Sequence, residues 1–554
     1  MEVYEEGFLT NSPKLIPYAS IKKAVNQMEN YVYKIKIGEQ QGTIFPCYIP
    51  IPSENKFLPV LITNNHIINE KHLNDKEIFL NSEIQQRKII NLNNRVKYTK
   101  KEYDITIIEI KENDGIQNFL ELDDIIISDI VKNDYRNDNF VDETIYIIQY
   151  PEGELSVSFG LLRKIVENEF EIIFEHSCNT KEGSSGSPIL NKKNNKVIGV
   201  HKGAHNNSNK FNVGYNNSNK FNVGSFLNEA IKEFIEKYES EKLLKEFNKK
   251  YNLNSIKDTN IKQLAIGNKI IGDKGFNELS KIKFLNLRDF RLSCNELTDI
   301  KVLQKFRFEK LEKLYLTNNK ITNIDVLKEV NFPELKELNL SNNNISDISV
   351  LSKVNFEELN ILSLSYNKIS DISVLSKVNF KELTELNLSG NKISDIGVLS
   401  KVEFKKLETL VLSNNRISNI NVFKKANFKE LKLLLLYENE ISDIGVFAHV
   451  KFDKLELLSL ALNKISDINA VKKFKFKELH TLGFSKNKIK DPSALLDANF
   501  EKLKKLSLDY NGIDEERYGE ILSSLWDKYD CFYYSENQQV KDLKDSTSTK
   551  FFTF

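Results

Sequence analysis

Two rhythms of apolar and polar positions divide the chain. From about residue 30 to 225 the apolar residues come in short runs rich in β-branched and aromatic side chains: YVYKIKI, LPVLIT, DITIIEI, TIYIIQY, LSVSFGLL, FEIIF and KVIGVH. Gly, Pro and Asn turns separate these runs, the pattern of an antiparallel all-β domain of barrel or sandwich type. SIKKAVNQMEN ahead of them has the spacing of a short helix, and FLNEAIKEFIEKYESEKLLKEFNKKY behind them predicts one or two amphipathic helices leading out. NNSNKFNVG at 206–214 recurs at 216–224. Because it is polar, one copy can loop out at modest entropic cost while the other takes the structural position.

The second half keeps a period of 24 residues. Asn295, Asn319, Asn343, Asn367, Asn391, Asn415, Asn439, Asn463, Asn487 and Asn511 recur at that spacing, most of them within LxxLxLxxNxI, as in LEKLYLTNNKI (311–321) and LTELNLSGNKI (383–393). NKI at 268–270 marks a less regular opening copy. The leucines of LxL alternate into the interior from a short parallel strand, and the Asn side chain satisfies backbone groups where the chain turns between coils. Phe308, Phe332, Phe356, Phe380, Phe404, Phe428, Phe452, Phe476 and Phe500 share the period and are expected to stack as a second internal ladder. No copy can bury its apolar face alone, so stacked coils must supply a continuous core. After Asn511 the pattern departs, and RYGEILSSLWDKYD followed by CFYY reads as a terminal cap and tail. Over roughly residues 260–515 the chain resembles the leucine-rich repeat family. Val411, Leu433, Leu435, Tyr437 and Leu457 fall at or beside outward strand positions where other copies carry Ser, Glu, Asn or Thr, and form an expected protein-binding patch.

With 554 residues, 40% apolar and 28% charged, the chain has material for two to four units, and no stretch approaches the roughly 18 uninterrupted apolar residues of a spanning helix. Seventy-nine basic against 78 acidic side chains leave no field to gather a polyanion, which argues against nucleic acid. The opening MEVYEEGFLTNSPKLIPYAS is acidic where a secretory leader is basic, so a cytoplasmic location is expected. Cys47, Cys178, Cys294 and Cys531 have no CxxC or Cys/His ligand spacing and are expected as reduced thiols. His205 near His201 lacks a convincing third ligand, so no zinc site is expected.

Three segments of the β-rich half carry chemistry. LITNNHII puts His66 just beyond an apolar strand, KEYDITIIEI puts Asp104 at the start of another, and KEGSSGSPIL puts Ser185 in a glycine-bounded turn. An imidazole can take the serine proton, a carboxylate can hold its tautomer, and the turn can aim N–H groups at a developing oxyanion, the parts needed for acyl transfer.

In TNNH ending at His66, DITII beginning at Asp104 and GSSGSP at 183–188, residues 30–235 resemble a trypsin-like serine endopeptidase of the chymotrypsin fold. The resemblance implies two six-stranded antiparallel β-barrels, a nucleophile at Ser185, and an oxyanion hole from the N–H groups of Gly183 and Ser185. Ser184 stands where digestive members carry the Asp that receives a freed amino terminus, and no cysteine follows His66, so activation by a new Ile terminus is not expected. GSSGSP with VIGVHKG is closer to the glutamyl endopeptidase and HtrA-like branches. In the former, the places matched by His201 and Thr180 receive an acidic side chain before the scissile bond, and Lys202 can strengthen the local positive field. His176 and Cys178 match no such position and are expected to pack or line the cleft.

The fold expected is therefore multidomain: an all-β chymotrypsin-like double barrel followed by an α/β leucine-rich repeat solenoid with short parallel strands. Its divisions are an N-terminal extension with a short helix (1–29), a protease domain (30–235), a helical connector (236–258), a solenoid (259–515), and a cap and tail (516–554). The function expected is a serine endopeptidase needing no metal or organic cofactor. It acts on a protein or peptide, and its repeats hold a protein substrate or regulator. The alternative is a catalytically silent scaffold or sensor with a protease-like binding domain, or an adaptor if His66, Asp104 and Ser185 prove far apart.

Overall fold

The structure is a computed structural model that describes residues 17–84, 86–132, 137–167, 172–204, 222–253, 256 and 258–534. The chain divides into two compact units, Met1–Lys242 and Leu243–Phe554.

In the first unit a helix α1 (Tyr18–Asn30) precedes eight strands: β1 (Tyr33–Ile37), β2 (Gln40–Ile51), β3 (Lys56–Thr63), β4 (Glu77–Asn81), β5 (Lys88–Asn91), β6 (Lys97–Lys100), β7 (Ile105–Glu109) and β8 (Leu120–Glu121). Seven of them lie in the order β5-β4-β1-β2-β3-β7-β6, and β8 adds to β2 in parallel. Strand β2 turns the sheet: Gln40–Ile44 pair with β1, and Phe45–Ile51 with β3. Period-two alternation then separates two cores. Val60, Ile62, Ile105 and Ile107 face one apolar cluster, while Leu61 and Ile108 join Ile35, Ile44 and Leu80 in the other.

A helix α2 (Asp124–Lys132) leads to β9 (Thr144–Gln149), β10 (Ser156–Glu167), β11 (Ile172–His176), β12 (Pro188–Asn191), β13 (Lys196–Ala204) and β14 (Asn222–Phe226), which close into a six-stranded barrel, β10-β11-β14-β13-β12-β9. This barrel matches the expected strand count, whereas the first sheet has eight strands rather than six. Asn222–Gly224, the end of the second NNSNKFNVG copy, open β14; the rest of the duplicated segment, His205 included, lies outside the described residues. The exit is one helix, α3 (Asn228–Tyr251), whose Ala230, Ile231, Phe234 and Ile235 are buried in the barrel core.

The second unit is a twelve-stranded parallel sheet of three-residue strands, from Gln263–Ala265 to Cys531–Tyr533. Its regular neighbours are 24 residues apart, as in Leu314↔Leu338↔Leu362. The Asn ladder does the work expected of it: Asn343 Nδ2 donates to Leu316 O (3.0 Å) and Leu340 O (2.9 Å), and its Oδ1 accepts from Ile321 N (3.0 Å). Phe308, Phe332, Phe356, Phe380, Phe404, Phe428, Phe452, Phe476 and Phe500 are all buried. The return segments are short 3₁₀ turns such as Ser349–Lys353 and Ser373–Lys377. A helix Glu515–Lys528, N-capped by Asp514 and burying Leu522 and Leu525, precedes the last strand. Thus CFY, expected to follow the cap as tail, continues the sheet beside Lys505–Ser507.

Candidate active site

β3 ends at Thr63, and Asn64 O then accepts from Ile67 N (3.3 Å) and Ile68 N (3.1 Å), a turn that carries His66 with its side chain 42% exposed. Asp104 closes the turn between β6 and β7 in the left-handed region (φ 54°). Its carboxylate grips His66 twice: Oδ2 lies 2.8 Å from Nδ1, and Oδ1 accepts the backbone N–H at 2.9 Å. Asn64 Nδ2 donates to Asp104 O at 2.8 Å. With Nδ1 donating to the carboxylate, Nε2 is the ring atom able to accept a proton.

Ser185 sits between Gly183 (φ 92°) and Gly186 (φ 85°). A Cβ on Gly186 would stand 2.1 Å from Thr43 O and 2.4 Å from Thr63 Oγ1, so only glycine fits there. Gly42 brings the serine turn to the histidine segment. Thr43 N donates to Ser185 O (2.8 Å), and a Cβ at Gly42 would meet Ser185 O at 2.8 Å and the Ile67 side chain at 3.0 Å. Ser184 and Ser187 are fully buried, while Ser185 is half-buried. The Ser185 hydroxyl donates to Lys202 O at 3.4 Å, and among the described residues no hydrogen bond joins it to His66.

The peptides around Ser185 are held individually. Glu152 N donates to Glu182 O (2.6 Å), and Thr43 Oγ1 donates to Gly183 O (3.2 Å). In a planar trans peptide the N–H points away from the carbonyl, so the Gly183 N–H is directed opposite to the Glu152 contact. Ser184, Gly186 and Ser187 N–H donate to Lys181 O, His201 O and Ser184 O; among the described residues those of Gly183 and Ser185 have no protein acceptor.

His201 is buried in β13 with its Nδ1 3.2 Å from Nε2 of His176. Burial lowers the His201 pKa to about 4, with the Val223 carbonyl opposing and the charge of His66 adding to the shift. His176 is held well below its ordinary value by burial and by His201, and among the described residues its Nδ1 has no hydrogen-bond partner. Thr180 is half-buried just past β11. Cys178 is buried, its thiol pushed up by desolvation, and Cys47, Cys178 and Cys294 are free. Among the described residues no cluster of His, Cys, Asp and Glu could hold a metal ion. In the repeats Leu433, Leu435, Tyr437 and Leu457 are half-buried, whereas Val411 is buried.

Sequence reading overlooked Gly42, Thr43 and Asn64, which bring the segments together, and the partnership of His176 with His201. TNNH carried a signal for Asn64. Gly42 and Thr43 lie in a strand without a motif.

Residues 52–200, which contain His66, Asp104 and Ser185, match the trypsin-like peptidase domain family. Residues 333–393 match the leucine rich repeat family, and 285–329 and 381–425 match its two-copy form. No curated protein matches the chain. Among solved structures, an internalin (inlF) of Listeria monocytogenes is 26% identical over 53% of this chain and 95% of its own, with a TM-score of 0.35. A Mycobacterium tuberculosis protease in an inactive form is 13% identical over 40% of this chain and 93% of its own (TM-score 0.28). The HtrA-type protease AlgW with tripeptide is 15% identical over 39% and 61% (TM-score 0.27). The cytoplasmic location expected from the opening residues is withdrawn as a correction: the solved structures similar to the repeats include internalins. Among the described residues no helix is long and apolar enough to cross a membrane.

Proposed function

Because the chain joins a trypsin-like peptidase domain to a leucine-rich repeat domain, we propose that it is a serine endopeptidase acting through His66, Asp104 and Ser185. The double grip of Asp104 on His66 is the observation that carries this reading. His66 Nε2 takes the proton of Ser185, whose oxygen attacks a peptide carbonyl while Asp104 stabilises the imidazolium. The N–H groups of Gly183 and Ser185 receive the oxyanion. His66 then protonates the leaving amine, and water hydrolyses the acyl enzyme. Ser185 must turn from Lys202 O to His66 as substrate binds, a tightening common in catalytic hydrogen bonds.

The reading extends to substrate. His201 is neutral at neutral pH because it is dry, and a substrate carboxylate beside it would restore the cation's stability. With Thr180 as a second donor, this supports preference for an acidic residue before the scissile bond. The half-buried apolar face around Leu433, Leu435 and Leu457 supports recruitment of a protein substrate or regulator. The Ser185 contact with Lys202 O favours the second reading, a silent protease-like scaffold.

The deciding experiment incubates the full-length protein with fluorogenic peptides varied before the cleavage site, with Ser185→Ala as control. Cleavage after Glu or Asp that vanishes in the variant supports both statements. Ser185-dependent cleavage after other residues removes only the acidic preference, and no Ser185-dependent turnover favours the scaffold.

A further inference from the structure

Asp104 reaches His66 because of how its turn is held, and part of the hold comes from the far end of the first unit. Three tethers meet on the short segment between β6 and β7. Asn64 Nδ2 donates to Asp104 O, Ser225 Oγ of β14 donates to Tyr103 O (3.1 Å), and Glu233 of α3 gathers the rest. Glu233 Oε1 accepts from Lys100 Nζ at 2.5 Å and from Tyr103 OH at 2.9 Å, and Oε2 accepts from Tyr98 OH at 3.0 Å. Lys100 Nζ also stands 4.4 Å from the Tyr103 ring centre. One carboxylate therefore binds three donors drawn from the strand entering the turn and from the residue next to Asp104.

The chemistry of this cluster suits a clamp. Burial, reinforced by Glu233, raises both phenols above their ordinary range, which keeps them protonated as donors. Helix α3 is itself fixed: Ile231 and Phe234 are fully buried, and Lys237 Nζ donates to Lys97 O at 2.6 Å. Asp104 sits in the left-handed region, which aspartate tolerates better than most residues but which remains less favourable than ordinary backbone, so the tethers add to the hold on this turn.

We propose that Glu233 is a positioning residue for the hydrolysis: by clamping Lys100, Tyr98 and Tyr103 it sets the turn that aims the Asp104 carboxylate at His66. This rests on the endopeptidase reading above. Without Glu233 the donors lose their common acceptor, the turn keeps the Asn64 and Ser225 tethers and its own Asp104 N to Lys101 O bond (3.1 Å), and the His66 ring is held less firmly in orientation. A positioning error of this kind acts on turnover more than on substrate capture.

The test uses full-length protein carrying Glu233→Ala, Glu233→Gln or Tyr103→Phe, with two readouts: kcat and KM on the peptide that the parent cleaves, and the His66 Nδ1–H resonance in histidine-labelled protein. Glu233→Ala is expected to lower kcat on the order of ten- to a hundredfold with KM changed less than about twofold, and to shift or broaden the resonance. Glu233→Gln keeps an acceptor and recovers most of both. Tyr103→Phe, which removes one donor and keeps the ring, loses a few-fold and serves if Glu233→Ala does not fold. In an Asp104→Ala background Glu233→Ala adds no further loss. An unchanged kcat, an additive loss in that background, or a kcat loss with an unmoved resonance would overturn the proposal. If the parent shows no Ser185-dependent turnover, the endopeptidase reading has failed. The resonance then still decides the clamp: moved by Ala and restored by Gln it stands, unmoved it falls.

Discussion

In the repeats Leu338 lies between Leu314 and Leu362, each fully buried and each 24 residues away; in the barrels Ile107 lies between Ile62 and Tyr98, neither its copy. The repeat unit asks each position the same question many times, so any one answer matters locally and the differences collect on the surface. The barrel unit asks each question once. Its candidate site gathers His66 and Asp104, 38 residues apart, against a serine turn that Gly42 admits from a third strand. Single substitutions there should change chemistry out of proportion to stability, and in the repeats the reverse should hold.

Asp104→Asn breaks that comparison most sharply. An amide N–H in place of a carboxylate oxygen would face Nδ1 and turn it into an acceptor, leaving the proton on Nε2, where it cannot receive that of Ser185. The expected loss in kcat is about 10⁴-fold, while chemical unfolding of both units moves little. Steady-state kinetics beside a denaturation curve checks it. A loss below about tenfold would mean that the pair does not orient the base.

How much of this was legible depends on how often a residue type had to recur. The 24-residue Asn and Phe ladders were readable because every coil needs the same amide to bridge neighbouring carbonyls and the same ring to fill its interior. The long apolar runs gave β3, β7 and β9. Strand β2 escaped because Gly42, Pro46 and Pro50 interrupt its run, although Pro46 and Pro50 both lie in its ladder with β3. Helix α2 escaped because DIIISDIVK is a short apolar stretch that fits a strand as well as a helix. His66, Asp104 and Ser185 announced themselves through local motifs. Thr43 and Glu233 did not, since their roles exist only after segments 130 or more residues apart have met.

The buried histidine pair separates the units by pH. An unfolded histidine titrates near 6.5, whereas folded His201 takes its proton only at about 4 and His176 is also lowered. Between those values the unfolded chain binds more protons, so barrel stability is full above about pH 6.5 and falls as the solution is acidified toward pH 4. For His201 alone the loss is about 3 kcal/mol over that window. Denaturant titrations of the Ser185→Ala protein, read by proteolysis of fragments from each unit, should show the barrels weakening with acid more than the repeats. A His176→Gln/His201→Gln double variant should flatten the difference. If the barrels of the double variant kept the parent's excess acid sensitivity, the effect would lie elsewhere.

The smallest effects test the repeats against themselves. Lys454 and Glu430 pair at 2.5 Å across neighbouring coils, but their side chains are 52% and 38% exposed, and such pairs contribute less than about 1 kcal/mol after screening and side-chain ordering. Asn367 instead donates to Leu340 O, Leu364 O and Ser365 O and accepts from Ile345 N, all inside the stack. Asn367→Ala leaves buried carbonyls and an N–H without their partner, at a cost of about 2 kcal/mol, because an unmade buried hydrogen bond costs more than a made one contributes. The Asn contact recurs every 24 residues and the Lys–Glu pair every 48, as Glu382–Lys406, Glu430–Lys454 and Glu478–Lys502, so both are periodic in the sequence and it is burial that ranks them apart. Urea midpoints for Lys454→Ala and Asn367→Ala, with peptidase activity as the control, measure the ranking. If the lysine variant lost as much as the asparagine variant, surface charge rather than the buried amide ladder would be holding the coils together.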